Sequence, residues 1–144
     1  MIIEQRSHNS SLSEMTVKNI ILLFILTVFI SGCGTLSSTL AAKGTGSTRS
    51  YQIPFDKAWS EMPTMITLVG LTYVRDDIKE RYMLAERGVT GWSWGEKVAI
   101  FFTPEEKSTV IEVVAKPVLY TNISSAYWTW PDVIFAELDK MWKQ

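Results

Sequence analysis

The strongest constraint on the fold comes from two consecutive apolar stretches joined by a short polar turn. KVAIFFT occupies residues 97–103, PEEKS follows, and TVIEVVAK occupies residues 109–116. In the second stretch Ile111, Val113 and Ala115 alternate with other residues, among them Glu112 and Lys116. Successive side chains of a strand point to opposite faces of the sheet. The pattern therefore predicts a β-hairpin with a five-residue connection and one strongly buried face.

Apolar residues at helical spacing predict two helices. The first follows Pro54 and ends at Gly70, and Pro63 should kink or divide it because proline lacks the backbone N–H. The second begins at Pro131, with Asp132 near the positive end of the helix dipole. The residues that share the apolar face are Phe55, Trp59, Met62, Ile66 and Val69 in the first helix, and Ile134, Leu138 and Met141 in the second, bordered by Phe135 and Trp142.

Shorter β-type stretches complete the pattern of elements. Residues 49–53 alternate polar and apolar side chains, and residues 71–75 and 81–87 predict an antiparallel pair joined by the polar sequence DDIKE. The predicted order is strand, helix, about four strands and helix. Strands joined by short turns form antiparallel sheets, so we expect an α+β domain in which four to five antiparallel strands carry two helices on one face.

The N-terminal region contains an apolar run that does not belong to this pattern. Residues 20–30 read IILLFILTVFI, with Lys18 before them and Ser31, Gly32 and Cys33 after them. The run is shorter than the about 20 residues that a membrane-spanning helix needs. A positive flank, a short apolar core and small residues are the layout of a secretory signal peptide.

The sequence Ile30-Ser31-Gly32-Cys33 resembles the lipobox of bacterial lipoproteins. In that family the cysteine thiol is diacylated, the chain is cut before it, and the new α-amino group is usually acylated too. The resemblance implies lipidation of Cys33 and a membrane anchor, because two or three acyl chains anchor a protein stably. Gly34 stands where an aspartate would retain enterobacterial members in the inner membrane, so the resemblance points to the outer membrane, facing the periplasm.

Three segments follow from this interpretation. Residues 1–32 form the signal peptide, with Met15 as an alternative start because residues 1–14 are long and polar for a leader. Residues 33–48 form the lipidated N-terminus and a flexible tether, since residues 34–48 are rich in Gly, Ser, Thr and Ala. Residues 49–144 form a single α+β domain.

Charge and residue inventory argue against most catalytic chemistry. The chain has 14 basic and 15 acidic side chains, which gives no electrostatic reason to expect nucleic acid. The one histidine, His8, lies in the predicted leader, and the one thiol, Cys33, is predicted to carry lipid. We therefore expect no metal, no cofactor and no catalytic triad. Carboxylates alone could still catalyse hydrolysis, but Asp76-Asp77 and Glu105-Glu106 lie in short polar turns. The sequence predicts a protein that is not an enzyme.

All six tryptophans follow the predicted leader. Trp59 and Trp142 lie on or beside apolar helix faces, so we expect them in the core. Trp92, Trp94, Trp128 and Trp130 fall in segments that resemble loops, where residues two apart project to the same side of an extended chain. Each pair can cover the open edge of the core, bind a partner protein or glycan, or lie at a membrane interface. These four tryptophans are the candidate partner-binding residues.

The order of elements also resembles the small helix-grip domains of bacterial envelope lipoproteins, including those in the C component of the β-barrel assembly machine. The residues that carry the likeness are YQIPFDKAW at 51–59, GLTYV at 70–74, the hairpin strands and the terminal helix. In such domains the sheet and helix faces act as docking surfaces. The resemblance implies a lipid-anchored binding or scaffolding module with an envelope protein as partner. A carrier of a small apolar ligand, held between sheet and helices, is the alternative.

Overall fold

The computed structural model describes residues 35–89, 95–118 and 126–142, with side chains from residue 129 onward in the last range. Cys33, Trp92 and Trp94 lie outside these residues. The elements in chain order are α1 (Leu36–Leu40), β1 (Ser47–Tyr51), α2 (Phe55–Leu68), β2 (Thr72–Asp77), β3 (Tyr82–Arg87), β4 (Glu96–Pro104), β5 (Thr109–Pro117) and α3 (Ala126–Trp142).

The five strands form one antiparallel sheet in the order β1-β5-β4-β3-β2. The predicted hairpin lies at its centre, where β4 pairs with β5 and Ile100 lies opposite Val113. The predictions of an antiparallel sheet and of the α+β class are confirmed. The described residues contain three helices, whereas the sequence predicts two; the additional helix is α1.

Alternate residues of the strands join a large apolar cluster, which we call the inner cluster. Its strand members include Ile100, Phe102, Ile111 and Val113, as the period of two in β5 predicts. Its helix members are the buried residues Ala58, Met62, Met65 and Ile66 of α2 and Trp130, Ile134, Phe135, Leu138 and Trp142 of α3. Burying this area supplies most of the stabilisation, since each fully buried large apolar side chain contributes about 1.5 to 3 kcal/mol.

Two predicted core tryptophans pack into this cluster. The ring centroid of Trp59 lies 5.1 Å from that of Phe102. The ring of Trp142 meets Tyr51 edge-on at 5.0 Å, and its indole Nε1 donates a hydrogen bond to Glu61 at 2.6 Å. A buried indole N–H usually finds an acceptor. Trp142 therefore ties α3 to both β1 and α2.

Both prolines lie inside helices. Pro63 does not divide α2, which is continuous from Phe55 to Leu68. The loss of one backbone hydrogen bond is offset by the buried side chains on either side of it, including Met62 and Met65. Pro131 does not begin the last helix, which starts at Ala126 and contains Pro131. Burial of Trp130, just before the proline, favours helix over the loop that the sequence suggested.

The structure also differs from the predicted flexible tether at residues 34–48. Its described part contains α1, a series of turns at residues 41–46 and the start of β1 at Ser47. Leu36, Leu40 and Ala42 pack on a second apolar cluster, which we call the outer cluster, formed by Leu84, Ala99, Phe101 and Val114. The four strand residues of the outer cluster alternate with those of the inner cluster, so they lie on the opposite face of the sheet. A segment that buries apolar side chains in this way does not behave as free coil.

Candidate functional site

A cavity opens beside the C-terminal end of α2, and we call it the end cavity. Its volume is about 290 Å³. Among the described residues, its lining comes from the end of α2, the end of β3 and the first turns of α3. The lining residues are Val69, Gly70, Arg87, Thr129, Trp130 and Val133.

The end of α2 is shaped by a glycine in the left-handed conformation. Gly70 has a φ of +81°, a backbone conformation that residues other than glycine rarely adopt. Its N–H donates to the Thr67 carbonyl, and the Leu71 N–H donates to the Ile66 carbonyl, both at 3.0 Å. This pair of bonds is the Schellman motif, which ends a helix and satisfies its last carbonyls. It turns the chain into β2 and leaves Val69 and Gly70 at the cavity.

Trp130 forms the buried wall of the end cavity. Its side chain is 6% exposed, and the Arg87 guanidinium carbon lies 5.8 Å from its ring centroid. Its indole Nε1 is buried and has no acceptor within the described residues. A buried donor without an acceptor costs about 1 to 3 kcal/mol. Because this nitrogen is inaccessible, an occupant of the cavity would contact the ring of Trp130 and not its N–H.

One strand residue, Arg87, brings a charged group to the cavity. Arg87 ends β3, and its register partner on β4 is Glu96, which is fully buried. Both occupy strand positions on the side of the inner cluster. The region therefore combines an apolar wall with a guanidinium, an arrangement that can orient a polar group of an otherwise apolar occupant.

One exposed apolar side chain lines the cavity, and two more are close in sequence to lining residues. Val133 lines it and is 41% exposed, whereas Leu68, next to the lining residue Val69, is 62% exposed. Val89, two residues after Arg87, is 71% exposed. Single exposed apolar residues are ordinary, but several near one concave surface favour binding of an apolar group.

The predicted tryptophan surface is only partly described. Trp92 and Trp94, and the side chain of Trp128, lie outside the described residues. Trp128 and Trp130 both belong to α3, so the expectation of extended backbone is wrong for this pair. Trp130 is a wall of the core and the cavity and not an exposed contact ring.

Sequence reasoning did not identify the other cavity residues. Val69 was assigned to a core-facing helix face, and Arg87 to the end of a strand. No local pattern in the sequence predicts that these two positions lie near Val133, because the three residues belong to three separate elements. The one local signal was Gly70, which was identified correctly as the end of the helix.

A second feature is the N-terminal strap, by which we mean residues 35–46. A capping box at its start joins Thr35 and Ser38, whose side chains each accept a hydrogen bond from the other residue's backbone N–H. The Glu112 Oε1 atom accepts hydrogen bonds from the Gly44 N–H at 2.6 Å and the Gly46 N–H at 2.9 Å. Lys116 Nζ donates to the Ser38 carbonyl at 3.0 Å. The strap is thus held by β5 at two points besides its apolar contacts.

A polar cluster joins β1 to α3 on the other side of the sheet. Asp139 accepts hydrogen bonds from Arg49 at 2.8 Å and from the Tyr51 hydroxyl at 3.2 Å. Burial, together with the neighbouring Asp139 carboxylate, raises the pKa of Tyr51 to about 12. The cluster fixes the position of α3.

No protein-family model matches the sequence, and no curated protein matches it. Among the described residues, no group of three or more Asp, Glu, His or Cys side chains is placed to hold a metal ion. Within the same part of the chain, none of the helices has the length and apolarity needed to cross a membrane.

Proposed function

We propose that this chain is a lipid-anchored, non-enzymatic lipoprotein of the bacterial cell envelope, acylated at Cys33 and placed in the outer membrane on its periplasmic side. The sequence support is the order of a charged flank, an apolar core and Ser31-Gly32-Cys33. The observation that carries the proposal is structural. Within the described residues, the strap that follows the proposed lipidation site packs on the outer cluster as part of the domain, in agreement with a mature chain that starts at Cys33.

In this proposal α2 and α3 form one layer on the inner face of the sheet, and the strap covers the outer face. The helix layer is supported by the inner cluster, which contains side chains of both helices. The position of the strap is supported by the outer cluster. The helix layer carries the end cavity with its apolar rim. We expect an envelope protein to dock there by inserting an apolar side chain against the Trp130 ring and Val133.

The alternative is a carrier of a small apolar ligand. Buried side chains such as Met62, Met65 and Ile66 fill the inner cluster, so the observation that favours a carrier is the end cavity. The end cavity is open, and its about 290 Å³ lies at the lower limit of small-molecule sites, about 300 to 1,000 Å³. A ligand there would be small and would contact the Trp130 ring and Val133.

Crosslinking in cells, followed by mass spectrometry, tests the docking site. Val133→Asp places a charge at the cavity rim and is expected to remove the crosslinked partner. Ile78→Asp is the matched control, because Ile78 is also exposed, at 56%, but lies in the turn between β2 and β3. A partner retained by the Val133 variant, or lost equally from both variants, would contradict docking at the cavity.

Two further samples separate the remaining possibilities. A variant with both Trp92→Ala and Trp94→Ala tests whether these tryptophans contribute to the partner surface, as the sequence suggested. Native mass spectrometry of the purified protein detects a retained small molecule. A bound molecule that is lost in Trp130→Phe, without any protein crosslink, would support the carrier and contradict the docking module.

A further inference from the structure

The connection between the proposed lipid and the folded domain is very short. Gly34 is the one residue between Cys33 and Thr35, where the described strap begins. Extended chain spans at most about 3.3 to 3.6 Å per residue, so two residue steps reach about 7 Å. Acyl chains on Cys33 would therefore hold Thr35 near the lipid headgroups.

The strap transmits this restraint to a particular side of the domain. Leu36 and Leu40 pack on the outer cluster, and the strap is further fixed by Glu112 and Lys116. The connection can lengthen only if these contacts break. A bilayer close to Thr35 then lies on the outer side of the sheet, because the next residue, Leu36, packs on the outer cluster, whereas α2 and α3 pack on the inner cluster.

Charge favours the same orientation. The strap and the strand positions on its face carry four basic and three acidic side chains: Lys43, Arg75, Lys97 and Lys116 against Asp77, Glu86 and Glu112. Helices α2 and α3 carry two basic and five acidic side chains: Lys57 and Lys140 against Asp56, Glu61, Asp132, Glu137 and Asp139. Membranes that contain anionic lipids attract basic segments, and their charge disfavours the acidic helix layer.

We infer that the strap-bearing face of the sheet lies against the phospholipid bilayer, and that α2, α3 and the end cavity point away from the membrane. This inference rests on the proposed acylation of Cys33. It specifies the lipid surface as the partner of the outer face, and it leaves the helix layer accessible to a periplasmic protein.

Fluorescence quenching in vesicles tests the orientation. The chain has one cysteine, and acylation blocks its thiol, so a fluorophore can be attached to a single introduced cysteine. Ser50→Cys and Thr72→Cys place the label at exposed strand positions on the outer side, and Thr64→Cys and Ala136→Cys place it on exposed helix positions. The acylated protein is reconstituted into vesicles of phosphatidylethanolamine and phosphatidylglycerol that contain a lipid spin-labelled on its headgroup. We expect severalfold stronger quenching at both outer positions than at both helix positions.

A linker variant provides the control. About 20 Gly and Ser residues inserted between Gly34 and Thr35 separate their ends by about 25 Å and leave the lipidation sequence intact. In this variant we expect the difference between the two sets of labels to shrink.

Mass spectrometry of the same samples measures acylation, and this distinguishes the two possible failures. If Cys33 is acylated but quenching is equal at all four positions, or stronger on the helices, the inferred orientation is wrong and the proposed lipoprotein is unaffected. If Cys33 carries no acyl chain, the proposed function is wrong, and the inferred orientation, which depends on it, is wrong too.

Discussion

Glu112 is the residue whose replacement should most specifically loosen the N-terminal strap. Its carboxylate accepts two backbone hydrogen bonds, from Gly44 at 2.6 Å and from Gly46 at 2.9 Å. A hydrogen bond to a charged group contributes about 1.5 to 3 kcal/mol. Both bonds use the same oxygen and Gly44 is exposed, so we take a combined contribution of about 2 kcal/mol, below the sum of two independent bonds.

Native-state hydrogen exchange measures this contribution at the two amides themselves. A loss of about 2 kcal/mol corresponds to about 30-fold faster exchange, because 1.4 kcal/mol is a factor of ten. We expect this acceleration at the Gly44 and Gly46 N–H groups in Glu112→Ala. We expect about half of the free-energy effect in Glu112→Gln, since a neutral acceptor binds about half as strongly as a charged one.

Glu86→Gln is the matched control on the same face of the sheet. Glu86 forms a partly exposed ion pair with Lys97, which contributes at most about 1 kcal/mol. Exchange at Gly44 and Gly46 should not change in this variant. Unchanged exchange at these two amides in Glu112→Ala would refute the claim that Glu112 holds the strap.

Three further outcomes are expected from the packing and the backbone. Gly70→Ala should lower the free energy of unfolding by about 1 kcal/mol in urea titration, because Gly70 has a positive φ and open space around it; an unchanged midpoint would contradict this. Phe102→Ala should cost about 3 to 5 kcal/mol in the same assay, since Phe102 is 2% exposed in the inner cluster, and a loss under 1 kcal/mol would contradict its core position. The pKa of Tyr51 is raised from 10.0 to about 12, so the stabilisation that its neutral hydroxyl gives the folded state is complete below pH 10 and is lost as the pH rises towards 12. The melting temperature should therefore fall less steeply with rising pH over this range in Tyr51→Phe than in the parent. Tyr73→Phe should be measured alongside, because the pKa of Tyr73 is also raised to about 12, and an identical slope in parent and Tyr51→Phe would contradict the assignment.

The features that the sequence predicted best depend on regular local spacing. The hairpin of β4 and β5 follows from the alternation around Val113, and α2 follows from apolar residues between Phe55 and Val69. In both cases one buried face extends over many consecutive residues. Such a face can pack in few ways, so the pattern determines the element.

The features that were missed depend on contacts between distant residues. The composition of the strap is typical of coil, and the residue that holds it, Glu112, lies more than 60 positions later. The start of α3 was placed at Pro131 because proline is common in a first helical turn, whereas burial of Trp130 extends the helix before it. The end cavity combines residues of α2, β3 and α3, and no local pattern reports such a meeting.

Mass spectrometry of the N-terminal peptide, from the protein purified out of the membrane fraction, tests the central proposal most directly. We expect a mature chain that begins at Cys33 and carries acyl groups on this residue, and loss of the protein from the membrane fraction in Cys33→Ala. A mature chain that retains residues before Cys33, or an unmodified Cys33 thiol in protein that stays in the membrane, would contradict it.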